Sequence, residues 1–284
     1  VALSDVRRAA VLGSPVAHSL SPVLHGAAYR ALGLTGWSYE RVECDAEALP
    51  GFVESLDEAW VGLSVTMPGK RAASAFAAER TDRAAILGAA NTLVRSGSGW
   101  RADCTDVDGV VGALRAAGGV SSLRSAVLLG GGGTAAAALA GLVDLGARQV
   151  RLVVREPARA TEVKSAAEAL GVALQVERFD EVDLPVAVAD SDVVVSTLPA
   201  GAVDADAETL AAAPCVLDVV YHPWPTPLAE AVRAEGAALA TGLDMLLHQS
   251  FGQVEQFTGA PAPREAMRDA LREATHDLLP LPLT

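Results

Sequence analysis

The sequence predicts an α/β protein of two domains, and three observations predict it. Short apolar runs of β type alternate with helical patterns along most of the 284 residues, a length that can hold two cores. The chain is 51% hydrophobic but only 4% aromatic, with Ala, Val and Leu dominant, which suits parallel strands covered by helices. In mid-chain, SAVLLGGGGTAAA (residues 125–137) passes from an apolar run through four glycines into a helix former.

Taken in order, residues 9–12 read as a short buried strand ending at Gly13. In GSPVAHSLSPVLHGAAYRALG, Ser21 reads as an N-cap and Pro22 as the first helical residue, and the helix stops at Gly33. Residues 37–42 alternate like a strand, 45–56 read as helix, and 59–65 form a second apolar strand that runs into SVTMPGK. Lys70 opens a short Ala-rich helix, 82–87 add a further helical turn, and 91–95 with 100–102 flank SGSG as a hairpin. Thr105, with Asp108 three residues on, reads as a capping box before a helix ending near Gly118.

The apolar run at 126–129 breaks at the glycines and restarts as helix over 135–145, closed by Gly146. Counted from Gly130, the turn is G-x-G-x-x-A. Gly130 allows the tight turn, Gly132 lets backbone approach a pyrophosphate, and Ala135 seats helix on strand, with Gly131, Gly133 and Thr134 completing the loop. The helix N-terminus adds free N–H groups and a partial positive charge. A flexible loop is one alternative and a membrane span over the uncharged 127–143 another; four central glycines and the βα repeats that follow argue against the span. Strands at 150–154, 174–176, 193–196 and 216–218 alternate with helices, giving five or six strands in βα order. That is an open, doubly wound, Rossmann-like sheet of the kind that binds a dinucleotide. From Leu243 the chain turns helical again, LDMLLHQSFGQVEQF, and Pro263 starts a last helix; both are expected to return to the first domain. The tail DLLPLPLT is expected to be loosely ordered. The domains are accordingly 1–104 with 243–284, and 105–242.

Charge and cysteines exclude several classes. A formal net charge of −13 disfavours nucleic acid and anionic membrane as partners. Cys44, Cys104 and Cys215 are widely spaced and odd in number, and no CxxC or HExxH occurs, so no disulfide framework and no metal are expected. Asp5, Arg7 and Arg8 interrupt the start, which reads against a signal peptide and points to a reduced, cytoplasmic protein.

Four polar clusters fall at strand ends or helix starts, where α/β folds place ligands. Ser19 and Ser21 flank a helix N-terminus and suit a small carboxylate; capping by Ser21 with Ser19 at the surface is the plainer alternative. Thr66 and Lys70 follow a strand through the Pro68–Gly69 turn, and a solvated lysine is the alternative there. Asn91, in GAANT, offers a donor and an acceptor, or is simply a turn residue. DCTDVDG gathers three carboxylates but fails the calcium-loop template, because position one is Cys104 and position twelve Arg115. Asp106 instead starts a helix, and Lys70 is the cation best suited to pair with it. A Lys–Asp pair beside a nicotinamide suffices for ketone/alcohol interconversion: the ammonium gives a proton to the developing alkoxide and the carboxylate holds it. N-capping by Asp106 and exposure of Lys70 are the alternatives.

GSPVAHSLSP, SVTMPGK, GAANT, ADCTDVDG, GGGGTA, STLPAG, DVVYHPWPTPL and GLDMLLHQ, in this order, resemble the shikimate dehydrogenases along nearly the whole chain. The resemblance implies NADPH-dependent reduction of 3-dehydroshikimate to shikimate in aromatic amino-acid biosynthesis, by a monomer or homodimer. It implies a substrate-binding domain and a dinucleotide-binding domain with a catalytic cleft between them. By motif, Ser19, Ser21 and Tyr221 hold the substrate carboxylate. Ser64, Thr66, Asn91, Asp106 and Gln249 bind ring hydroxyls, and Lys70 is the acid/base. Thr197 and Gly242, in STLPAG and GLDMLLHQ, join the glycine loop and Arg155 as cofactor residues.

Three positions depart from the family pattern. Ser64 stands where many members have Asn, a shorter reach for the same role. Cys104 replaces an Asn, and a thiol is a poor hydrogen-bonding substitute beside Asp106. Arg155 is kept as a ligand for a 2′-phosphate, but Glu156 brings a negative charge where a hydroxyl is usual. An NAD-preferring quinate/shikimate dehydrogenase and a non-catalytic ligand sensor are therefore alternatives; retention of both Lys70 and Asp106 argues against the sensor.

Overall fold

The computed structural model describes residues 6–284, so Asp5 lies outside the described residues. The chain divides into two compact units: the residues up to Thr105 with Gln249–Pro280, and Asp106–His248 with Leu281–Thr284. The division falls inside one helix, between His248 and Gln249.

The first unit is built on a mixed sheet. β1 (Arg7–Gly13) lies between β2 (Trp37–Glu43) and β3 (Trp60–Val65), parallel to both. β3 pairs antiparallel with β5 (Thr92–Ser96), which forms a hairpin with β6 (Gly99–Asp103). A two-residue β4 (Glu79–Arg80) completes the order β2-β1-β3-β5-β6-β4. One face carries Leu12, Leu63, Leu93, Trp60 and Trp100, all buried. The alternating residues Ala9 and Val94 point the other way, as the period of two requires, and meet Phe257. A Cβ on Gly62 would collide with that ring, so glycine is required in mid-strand. The helices of this unit are α1 (Ser21–Ala31), α2 (Leu49–Glu54), α3 (Lys70–Phe76), α4 (Asp82–Leu87), the end of α11 (Gly242–Thr258) and α12 (Arg264–Ala274), which packs on α1.

The second unit is an all-parallel sheet. Its strands are β7 (Ser125–Leu129), β8 (Gln149–Val154), β9 (Ala173–Arg178), β10 (Val193–Ser196), β11 (Cys215–Asp218) and β12 (Ala238–Thr241). The order β12-β11-β10-β7-β8-β9 reverses between β7 and β10, the doubly wound pattern in which ligands sit at the C-terminal strand ends. Val127, Leu129, Val153, Val194 and Val216 form a core covered by α8 (Leu184–Ala189), α9 (Ala207–Ala211) and α10 (Pro227–Glu235), while α5 (Asp106–Ala116), α6 (Gly133–Asp144) and α7 (Thr161–Leu170) pack on β12, β7 and β9. The uncharged stretch 127–143 is thus divided between β7 and α6. No helix among the described residues is long and apolar enough to cross a membrane.

The structure corrects four local expectations. The Asp45 carboxylate accepts the N–H groups of Glu47 (3.0 Å) and Ala48 (2.8 Å), a local turn that delays the helix to Leu49. Ser21 is the first residue of α1, with Leu20 at the cap. β12 was hidden because ALAT has little β propensity of its own; pairing with β11 makes it a strand. The tail is packed: Leu279 and Leu281 are buried, and the Pro282 carbonyl accepts from the His248 ring at 3.2 Å.

Candidate active site

In the first unit the predicted polar residues converge at the ends of β1, β3 and β5. Ser19 and Ser21 lie 3.2 Å apart, and Ser19 Oγ also accepts the Ser21 N–H. Leu20 thus holds the cap position without a capping side chain, and Ser21 is the buried member of the serine pair. Thr66 sits beside β1, where a Cβ on Gly13 would collide with its methyl. Lys70 opens α3, and its carbonyl accepts the Ala90 N–H at 2.9 Å, tying the lysine turn to GAANT.

Ser64, Asn91 and Gln249 belong to one buried hydrogen-bonded array. Ser64 Oγ receives the Tyr39 hydroxyl at 2.6 Å and donates to Gln253 Oε1 at 2.7 Å. Gln253 Nε2 donates to the Asn91 carbonyl (3.1 Å) and to Thr92 Oγ1 (3.0 Å). The Asn91 amide donates to Thr105 Oγ1 (3.0 Å) and Gln249 Oε1 (3.1 Å), and its oxygen accepts the Thr105 N–H at 2.8 Å. Sequence reasoning missed Tyr39, Thr92 and Gln253; only the buried setting of Thr92 and Gln253 and the half-buried one of Tyr39 distinguish them from ordinary strand and helix residues.

A second cluster holds the segment before Asp106. Asp103 accepts from Arg83 Nε and an outer guanidinium nitrogen (both 2.7 Å), Thr81 Oγ1 (2.7 Å), Gln256 Nε2 (2.8 Å) and the Cys104 N–H (2.8 Å). Asp103 and Asn91 thus take two successive N–H groups, those of Cys104 and Thr105. The backbone of the loop is held by Asp103 and Asn91 and not by an amide at position 104, so Cys104→Asn should change kcat/KM less than about threefold, within the roughly 0.5–1.5 kcal/mol of one hydrogen bond. Cys44, Cys104 and Cys215 are buried thiols outside any disulfide, and burial pushes the Cys215 thiol up to about 12. A thiol reagent should therefore label the folded protein far more slowly than the unfolded one; rapid loss of the Cys104 thiol in the folded state would contradict the packing.

Asp103 also makes stability depend on pH. Burial pushes its carboxyl up, but Arg83, Thr81 and Gln256 outweigh burial and hold it well below the usual carboxylate range. A depressed acid contributes stability fully above its unfolded value of about 3.9 and loses it as pH falls through and below that value. Asp103→Ala should cost about 3 kcal/mol, the lower end for breaking a buried pair, because Arg83 keeps partial solvent access. Urea unfolding at neutral pH reads the loss, and a change under about 0.5 kcal/mol, the level of an ordinary surface substitution, would refute the clamp.

The second unit holds the other predicted residues. Gly130 has φ +105, a left-handed conformation, and a Cβ there would press on Thr197 Oγ1 and Leu198. Thr197 is fixed by its N–H and hydroxyl, both donated to the Leu129 carbonyl at 2.9 and 2.8 Å. Around Gly132 a Cβ would meet nothing within 4 Å, α6 starts at Gly133 with no capping side chain, and Ala135 is fully buried against the sheet. Open backbone at a helix start, between strands where the order reverses, fits a dinucleotide pyrophosphate. Arg155 and Glu156 are exposed directly after β8, and Arg159 closes the following turn. Gly242 packs so closely that a Cβ would collide with the Val219 carbonyl and press on the Tyr221 ring, while burial pushes the Tyr221 phenol up. Asp106 is buried at the first position of α5.

Residues 11–93 match the family model of the shikimate dehydrogenase substrate binding domain, and residues 242–272 that of the shikimate 5'-dehydrogenase C-terminal domain. The shikimate dehydrogenase (NADP(+)) of Methylobacterium radiotolerans is 39% identical over 268 residues, 90% of this chain and 93% of its own. The crystal structure of Mycobacterium tuberculosis shikimate dehydrogenase is 55% identical, with a TM-score of 0.89 over 94% of this chain and 99% of that one. The shikimate 5-dehydrogenase of Thermus thermophilus, solved in complex with NADP(H) and shikimate, is 32% identical, with a TM-score of 0.80 over 95% of this chain and 100% of that one. Glycine turn, doubly wound sheet, polar array and similarity along nearly the whole chain agree: the chain belongs to the shikimate dehydrogenase family.

Proposed function

We propose that the chain catalyses the NADP-dependent, reversible reduction of 3-dehydroshikimate to shikimate, in the cytoplasm, as a monomer or homodimer. The observation that carries this reading is the buried array of uncharged polar side chains, Ser64, Asn91 and Gln249, in the unit that also contains Lys70. Buried polar groups cost free energy unless they are hydrogen-bonded, and such an array suits a small ligand rich in hydroxyls rather than an apolar one.

Ser19 and Ser21, with Tyr221, hold the substrate carboxylate. Ser64, Thr66, Asn91, Asp106 and Gln249 take the ring hydroxyls. Bound NADPH supplies the hydride. Lys70 gives a proton to the ketone oxygen as it becomes an alkoxide, and takes that proton back in the reverse direction. Asp106 holds the Lys70 ammonium in the donating position. Gly130, Gly131, Gly132, Gly133, Thr134 and Ala135 cradle the pyrophosphate, Arg155 takes the 2′-phosphate, and Thr197 and Gly242 line the cofactor. The exposed Glu156 favours a second reading, an NAD-preferring quinate/shikimate dehydrogenase, because a carboxylate at a strand end can bind the ribose 2′-OH.

Initial rates at 340 nm with shikimate or quinate, and NADP+ or NAD+, separate the readings. Shikimate with NADP+ should give the highest kcat/KM. Highest kcat/KM for quinate with NAD+ would favour the second reading, and binding without turnover would make the chain a sensor.

A further inference from the structure

We infer that Tyr39 is a positioning residue for ligand recognition, fixing Ser64 as a hydrogen-bond acceptor toward a ligand hydroxyl. The inference rests on the proposed function, and it follows from counting protons along the array. Gln253 Nε2 lies 3.1 Å from the Asn91 carbonyl and 3.0 Å from Thr92 Oγ1. A backbone carbonyl can only accept, so the nitrogen of the Gln253 amide must face it, and a flipped amide would set two oxygens against each other. Gln253 Oε1 therefore faces Ser64, and it too can only accept. At 2.7 Å the Ser64 hydroxyl must spend its single proton on Gln253. Tyr39, 2.6 Å from Ser64, must then donate its own proton to Ser64 Oγ. With its proton and one lone pair committed, Ser64 retains only a lone pair for a ligand.

The Tyr39 ring is held for this role. It stacks on His25 with centroids 4.0 Å apart and planes 17° from parallel. His25 is buried in α1, its Nδ1–H donating to the Ser21 carbonyl at 3.0 Å, and burial pushes its pKa down to about 4, so it presents a neutral plate. Tyr39 stands on β2 and Ser64 on β3, with β1 between them, so the phenol reaches across one strand to meet the serine. The hydroxyl of Ser21 also faces Tyr39, so one ring links the Ser19–Ser21 pair at the start of α1 to the serine of β3.

Tyr39→Phe keeps the ring and the stack and removes the proton. Shikimate affinity, by titration calorimetry, should fall about three- to tenfold, the size of one hydrogen bond, and KM should rise with it. kcat and the KM for NADP+ should change less than twofold. Ser64→Ala should weaken shikimate similarly, and Tyr39→Phe placed on Ser64→Ala should add less than twofold, because the two act through one contact. A purely structural role would lower the melting temperature of Tyr39→Phe without this coupling. Unchanged shikimate affinity in Tyr39→Phe, or fully additive losses in the double variant, would overturn the inference while wild-type turnover leaves the proposed function standing. A wild type that neither binds nor oxidises shikimate would overturn both.

Discussion

Lys70→Ala should lose roughly 10²–10⁴ in kcat, the usual scale for a positioned acid/base, with a smaller effect on KM. Lys70 is the first residue of α3, and the fixed turn from β3 through Pro68 and Gly69 sets where its stem leaves the backbone. Its carbonyl is bonded to Ala90, one residue before Asn91, so the lysine turn and the polar array cannot move independently. Removing the ammonium leaves binding groups such as Ser64 and Gln249 in place, and for that reason the loss belongs in turnover. Asp106→Asn should also depress kcat, because a neutral amide cannot hold the ammonium by charge. The double variant should fall little below the worse single one, as expected for groups that act as a unit. Near-normal turnover in Lys70→Ala would remove the assignment; a loss confined to KM would make Lys70 a binding residue only.

The second large effect is in cofactor choice. Wild type should favour NADP+ over NAD+ in kcat/KM, and Arg155→Ala should erase most of the gap. One charged hydrogen bond is worth about 1.5–3 kcal/mol, or roughly ten- to more than a hundredfold. A carboxylate at position 156 repels a 2′-phosphate and should subtract from this. Glu156→Thr should therefore widen the preference for NADP+. A wild-type preference for NAD+ would make Glu156 the ribose ligand and leave the Lys70–Asp106 chemistry untouched.

Much of this organisation is written locally, and the parts that are not have a common cause. The glycine turn is legible because a strand and a helix flank it, although the contacts that demand glycine at position 130 come from distant Thr197 and Leu198. Ser19, Lys70 and Asn91 are legible because they mark strand ends and helix starts. Tyr39, Gln253 and Asp103 were not, since their partners lie far along the chain: Ser64 and Gln253 are 189 residues apart, and Gln256 reaches Asp103 across 153. In HQSFGQVEQF, Gln253 looks like one more solvated helix residue until α11 packs against β5. Cys104 read as a defect because an amide was expected to hold the loop; Asp103, one residue earlier, performs that task through its bonds to Arg83 and the Cys104 N–H. Alternating apolar runs revealed the two sheets, but Ala-rich β12 and the packed tail depend on neighbours that composition does not reveal.

The most direct test is a single progress curve. The purified chain is mixed with 3-dehydroshikimate and NADPH, absorbance is followed at 340 nm, and the product is identified at the end. The account predicts that NADPH disappears in step with formation of one shikimate per cofactor oxidised, and that Lys70→Ala suppresses this at saturating substrate. Binding of both ligands with no loss of absorbance in the wild type would contradict it.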